Sequence, residues 1–208
     1  MKRALIGAIL AVFAGIAPVI SPAAEKQPSS TVERLHNTLL EVMKEAETLG
    51  FEGRYQKLLP VITEEFDLPF VAHYTLGSSW EELSEEQQHQ FIETFRELSV
   101  VDYARNFDGY SGQHFTIEKE TPLPRGRIRV RGKLIDSDGS SSVVFDYLLH
   151  QTGNQWRIVN VIADGVSDLA VKRAEYRHII KAEGFDSLLG KLKEKIALYR
   201  HQAEPSSS

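Results

Sequence analysis

Apolar residues recur at three- and four-residue intervals through the first half of the chain, and at two-residue intervals through much of the second. The first spacing marks one face of a helix and the second one face of a strand. Val32, Leu35, Leu39, Val42, Ala46 and Leu49 share a helical face, with Ser30 and Glu33 as a capping box at its start and Gly50 closing it. A shorter helix is predicted over residues 54–66, with Pro60 either kinking it or marking a break. Leu68 to Leu76 reads as another short apolar helix, ended by Gly77. Ser84 and Gln87 make a second capping box, which opens a long helix through Phe91, Phe95, Leu98 and Val101 to about Phe107.

The period then changes to two. Ile128, Val130 and Leu134 alternate with Arg127, Arg129, Arg131 and Lys133, which predicts a strand with one wet face. Asp136-Ser137-Asp138-Gly139 is a hairpin turn, after which Val143, Phe145, Tyr147 and Leu149 fall on one side of a second strand. Thr152-Gly153-Asn154 turns the chain into a third strand, Trp156 to Ala163, which is apolar on both faces apart from Arg157 and Asn160. A weaker strand at His114 to Lys119 completes a four-stranded antiparallel meander. Two helices follow, Asp168 to about Glu183 and Asp186 to His201, separated by Gly184. Helices, meander, helices is the order of an α+β fold with the helices gathered on one side of the sheet.

Composition adds a compartment. Lys2 and Arg3 precede an uncharged apolar run from Ala4 to Ile20, and Ser21-Pro22-Ala23 supplies a small-x-small cleavage site. This is the three-part pattern of a secretory signal over residues 1–23. A membrane anchor is the rival reading, weakened by Gly7, Gly15 and Pro18 within the run. Residues 24–29 and 203–208 read as disordered ends, leaving one domain over 30–202. The chain has no cysteine, which excludes disulfides, iron–sulfur clusters and thiol nucleophiles. Its formal charge of −5 argues against nucleic acid as a partner.

Candidate chemistry is sparse. The seven histidines share no ligand spacing, so they read as scattered boundary residues and no metal is expected. The Asp136–Gly139 turn is similar to a calcium loop but has its glycine at the wrong place. Gly109-Tyr110-Ser111-Gly112 lacks the strand-to-helix setting of a nucleophile elbow. The Arg127, Arg129, Arg131, Lys133 stripe is either a solvated face or a docking strip for an acidic partner or lipid head groups. Asp102, Asp146 and Asp164 are the candidates for a buried acid or base, with structural roles the simpler reading.

Three stretches together resemble the MlaC (toluene-tolerance auxiliary) family of periplasmic lipid-binding proteins. They are Phe66-Asp67-Leu68 with Leu76-Gly77 and Trp80; Phe91 to Tyr110, FIETFRELSVVDYARNFDGY; and Trp156 to Ser167, WRIVNVIADGVS, running into a helix with Tyr176 and Arg177. The family commonly has Asp where this chain has Asn160. Phe107 to Gly112, Val166 to Tyr176 and Gly184-Phe185-Asp186 look closest to the hopanoid-associated HpnM branch.

The resemblance implies an NTF2-like α+β fold, a four-stranded curved antiparallel sheet with the N- and C-terminal helices packed on one side and an apolar cavity between them. It implies a carrier with no cofactor and no catalysis, holding phospholipid or hopanoid as cargo and touching membranes transiently. The partners it implies are an inner-membrane transport complex of the MCE and ABC type, or a hopanoid exporter, and an outer-membrane acceptor. Cavity-lining candidates on the helices are Phe66, Phe70, Tyr74, Phe91, Phe95, Leu98 and Tyr103. On the strands they are Val130, Val143, Phe145, Tyr147 and Leu149, then Trp156 and Ile158. Periodicity cannot separate a cavity lining from a solid core. An isomerase-like enzyme using the same cavity and a ligand-free interaction module are the alternatives.

Overall fold

A computed structural model describes residues 27–202. Residues 1–23, expected from the sequence to be a secretory signal, residues 24–26 and the tail over 203–208 lie outside the described residues. The elements are α1 (Pro28–Lys44), α2 (Ala46–Glu65), α3 (Leu68–Leu76), a 3-10 segment (Gly77–Glu82) and α4 (Glu85–Asn106). The strands β1 (His114–Leu123), β2 (Arg127–Ile135), β3 (Ser142–Thr152), β4 (Gln155–Ala163) and β5 (Val166–Ser167) follow, then α5 (Asp168–Glu183) and α6 (Phe185–Gln202). The fold is α+β, as the order of periodicities predicts.

The sheet has five strands in the order β1-β2-β3-β4-β5, each antiparallel to its neighbours. The meander of four is therefore corrected by one. Val166 and Ser167 pair with Ala163 and Ile162 after a tight reversal at Asp164-Gly165, and two residues are too few to show a period. Register shifts at Ile117/Lys119 and at Leu148/Leu149 insert bulges that curve the sheet. Val130, Tyr147 and Leu149 turn to the helices and are buried. Arg131 lies opposite Asp146 on the other face and donates to both its carboxylate oxygens at 2.8 and 2.7 Å, while Lys133 pairs with Glu118 at 2.6 Å. The basic stripe thus has acids of its own across the ladder.

Helix α1 starts at Pro28, before the expected capping box. Ser30 donates its hydroxyl to the Gln27 carbonyl instead of accepting at the helix end. Proline at the first position needs no helical donor, so the chain enters there. Gly50, at φ 57°, bends the chain between the opening turn of α2 and the rest. Arg54 spans that bend, donating to the carbonyls of Ala46 and Ala104 at 3.1 and 3.0 Å. The helix begins at Phe51 rather than at Arg54 and passes through Pro60 without a break. The α3 bounds and the Ser84–Gln87 capping box agree with the sequence reading. Gly132 lets α1 lie close on the sheet, since a Cβ there would stand 2.7 Å from the Thr116 carbonyl oxygen and 3.1 Å from the His36 ring.

Candidate binding cavity

Between the sheet and the helices lies a cavity of about 400 Å³. Its first wall depends on the short link between α2 and α3. Phe66 forms a parallel bridge with Ile158, and the Asp67 N–H donates to the Ile158 carbonyl at 3.0 Å. Asp67 accepts from the Phe70 N–H at 3.1 Å, capping α3, and meets His150 at 2.8 Å and the Thr152 hydroxyl at 3.0 Å. Burial pushes the Asp67 carboxyl up, but these bonds outweigh it and leave the group below the usual carboxylate range. So anchored, the junction presents Ile62, Phe66, Leu68 and Val71 to the cavity.

The floor is sheet. Phe145 and Tyr147 come from β3, and Val159, Val161 and Ala163 from β4. Helix α4 supplies Phe95 and Tyr103, and its C-cap supplies Phe107. Tyr103 stacks on Phe107 with ring centres 5.8 Å apart and meets the edge of Phe66 at the same distance. Burial raises the Tyr103 and Tyr147 phenols well above their ordinary values, so both present neutral hydroxyls. Aromatic and aliphatic side chains share the inner walls of the chamber.

Its mouth is polar and lies where α4, α5 and α6 meet. Asp102, Arg105 and Asn106 line it from α4, Asp168, Lys172 and Glu175 from α5, and Lys195 and Tyr199 from α6. The Lys172 ammonium lies 3.7 Å from Asp102 and pairs also with Asp168. Burial pushes the Asp102 carboxyl up against the pull of Lys172. Asn160 closes the β5–α5 corner, accepting from the Ser167 hydroxyl at 3.1 Å and the Leu169 N–H at 3.2 Å. The aspartate common at this place in the resembled family would accept the same two bonds.

Of the expected lining residues, Phe66, Phe95, Tyr103, Phe145 and Tyr147 do meet around the cavity. Phe70 and Tyr74 do not. They lie on the outer face of α3, 37% and 46% exposed, because a nine-residue helix turns only Leu68, Val71, Ala72, Thr75 and Leu76 inward. Phe91 is enclosed among Trp80, Phe95, Tyr176 and Phe185 in the helical layer. Leu98, Val130, Leu149 and Ile158 are fully buried in packed core and do not line the cavity. Helices α1 and α2 cover their part of the sheet. Val143 is paired with Leu134 near the far end of β3, and Trp156 borders a separate polar recess with Arg34, Glu65 and Arg157.

Sequence reasoning missed Ile62, Leu68, Val71, Phe107, the β4 positions that line the cavity and the mouth apart from Asp102, which it named as a candidate acid. One readable sign existed on α4. Phe95, Ser99, Asp102, Tyr103 and Asn106 share a helical face, and polar residues among aromatics there mark a face turned to an opening rather than to solid core. Asp146 is tied to Arg131, and Asp164 accepts from the Val144 N–H at 2.9 Å in its turn.

A family model described as MlaC protein matches residues 33–194. The intermembrane phospholipid transport system binding protein MlaC of Haemophilus influenzae is 29% identical over 141 residues, 66% of this chain and 64% of the relative. The matched segment thus spans slightly under two thirds of that relative's length. A phospholipid-binding protein from Ralstonia solanacearum, solved in complex with a phospholipid, superimposes with a TM-score of 0.74 at 18% identity. That match covers 84% of this chain and 99% of the other, and it shows a shared fold.

Proposed function

The chain belongs to the MlaC family, and on that footing we propose that it is a periplasmic lipid carrier that shelters an acyl chain in its cavity and shuttles lipid between inner and outer membranes. The observation that carries this reading is the chamber of about 400 Å³ with aromatic and aliphatic walls and a polar mouth. Each methylene exposed to water costs about 0.8 kcal/mol. A diacyl lipid of some thirty methylenes therefore faces a barrier of roughly 25 kcal/mol to cross an aqueous gap unaided. A carrier lowers that barrier by about 0.8 kcal/mol for each methylene it shelters in a dry space. With a methylene taken as about the size of a water molecule, ~30 Å³, the chamber holds roughly a dozen of them, most of one acyl chain.

Phospholipid is the cargo that the names of both relatives support. A hopanoid, the cargo that the HpnM resemblance implies, would need the same dry walls without a charged head. The partners proposed are an inner-membrane complex of the MCE and ABC type, or an exporter for hopanoids, and an outer-membrane acceptor.

An isomerase-like enzyme has one observation in its favour, the raised Asp102 carboxyl facing the cavity. Asp102 lies at the mouth with Lys172 at 3.7 Å, while the walls beyond are apolar, which favours holding a chain over acid–base chemistry. Transfer of labelled phospholipid between two vesicle populations tests the proposal. The protein should speed transfer well above the spontaneous rate. A rate equal to that of vesicles alone would overturn it.

A further inference from the structure

The mouth of the cavity holds three cations, and they are not equivalent. Lys172 is already engaged by Asp102 and Asp168. Arg105 and Lys195 have no carboxylate within 4.0 Å among the described residues. Both are gathered on one ring instead. The Arg105 guanidinium carbon stands 4.1 Å from the centre of Tyr199 and the Lys195 ammonium 5.7 Å from it. All three residues line the cavity. The ring face holds the two charges at the mouth by cation–π attraction and leaves their N–H donors unused. Asp102 feels both cations electrostatically, but Lys172 is its contact partner.

We infer that Arg105 and Lys195, gathered on Tyr199, form the seat for the phosphodiester of a lipid whose acyl chain lies in the chamber. This rests on the carrier reading and adds to it the side chains that hold the head group. A guanidinium offers paired donors that match phosphate oxygens, and an ammonium a mobile point charge beside it. The seat lies outside the apolar walls, so the phosphate keeps contact with water and its desolvation cost stays small. An uncharged polycyclic lipid would gain nothing from it.

Calorimetric titration of the delipidated full chain with two single-chain lipids tests this. Lysophosphatidylethanolamine and monoacylglycerol with the same acyl chain differ in the phosphate. In Arg105→Gln/Lys195→Gln the affinity for the lysophospholipid should fall roughly tenfold, the sum of two partly exposed charge contacts. The affinity for the monoacylglycerol should stay the same, which also shows the variant to be folded. An unchanged lysophospholipid affinity, or an equal loss for both lipids, would overturn the inference and leave the carrier reading standing. Comparable binding of inorganic phosphate alone would overturn the assignment to a lipid head group. If neither lipid binds the unaltered chain, the carrier reading falls and takes the seat with it.

Discussion

The Nε2 of His36 stands 2.9 Å from the hydroxyl oxygen of Tyr147, so a residue of the first helix braces the cavity floor from its side. His36 also stacks on Phe115 with ring centres 4.1 Å apart. The imidazole is 3% exposed, and burial lowers its pKa to about 4. It is neutral at physiological pH, and the close approach of α1 at Gly132 is what places it there.

This burial makes stability depend on pH with a definite sign. Above pH 6.5 both folded and unfolded chains carry a neutral imidazole, and the full contribution is present. Between pH 6.5 and about 4 the unfolded chain binds a proton that the folded chain refuses, so stability falls as pH drops. The loss from this residue is complete below about pH 4 and amounts to about 3 kcal/mol. Urea unfolding of the chain and of His36→Gln at a series of pH values measures it. The difference in slope should be confined to that window, and parallel curves would contradict the assignment.

Filling the chamber should separate binding from stability. Ala163 lines the cavity from β4, opposite Phe145 in the ladder. Ala163→Leu places extra methyl groups in space that is empty, so the strain of overpacking a dense core does not arise. The melting temperature should hold or rise, while affinity for a fluorescent fatty acid should drop by about tenfold or more. Undiminished affinity would show that the chain lies elsewhere.

Core and lining should respond differently to truncation. Leu98 is fully buried and outside the lining, so Leu98→Ala should cost about 3 kcal/mol of folding stability. Phe107 is half-buried with one face on the cavity, and Phe107→Ala should cost roughly half as much as the Leu98 change. The ligand affinity should show the reverse order. Chemical denaturation paired with fatty-acid titration of the two variants checks both halves.

The comparison of these two residues shows what the sequence could convey. Apolar spacing placed Phe91, Phe95, Leu98 and Tyr103 together on one helix, but it reports only that a side chain turns inward. Whether the facing volume is filled depends on where α1 and α2 end over the sheet, which is a tertiary property. Leu98, on the neighbouring face, became core and Tyr103, in line with Phe95 and Ser99, lining. Helix bounds were legible at Gly77, Ser84 and Gly184, but the Ser30 box and Gly50 did not bound the first helix, which runs from Pro28 to Lys44 and leaves Ala46 and Leu49 to α2. Pro60 left a kink and a break open, and the helix runs through it unbroken. Beyond the polar face of α4 the mouth was illegible, since Arg105, Lys195 and Tyr199 come from two helices far apart in the chain and meet only in the fold. Strand β5 was too short to carry any pattern.

Native mass spectrometry of the protein purified from cells without detergent tests the central claim most directly. The account predicts a population carrying one lipid, its added mass that of a phospholipid, which is lost on filling the chamber by Ala163→Leu. Apo protein alone, unable to take up phospholipid when vesicles are supplied, would contradict it.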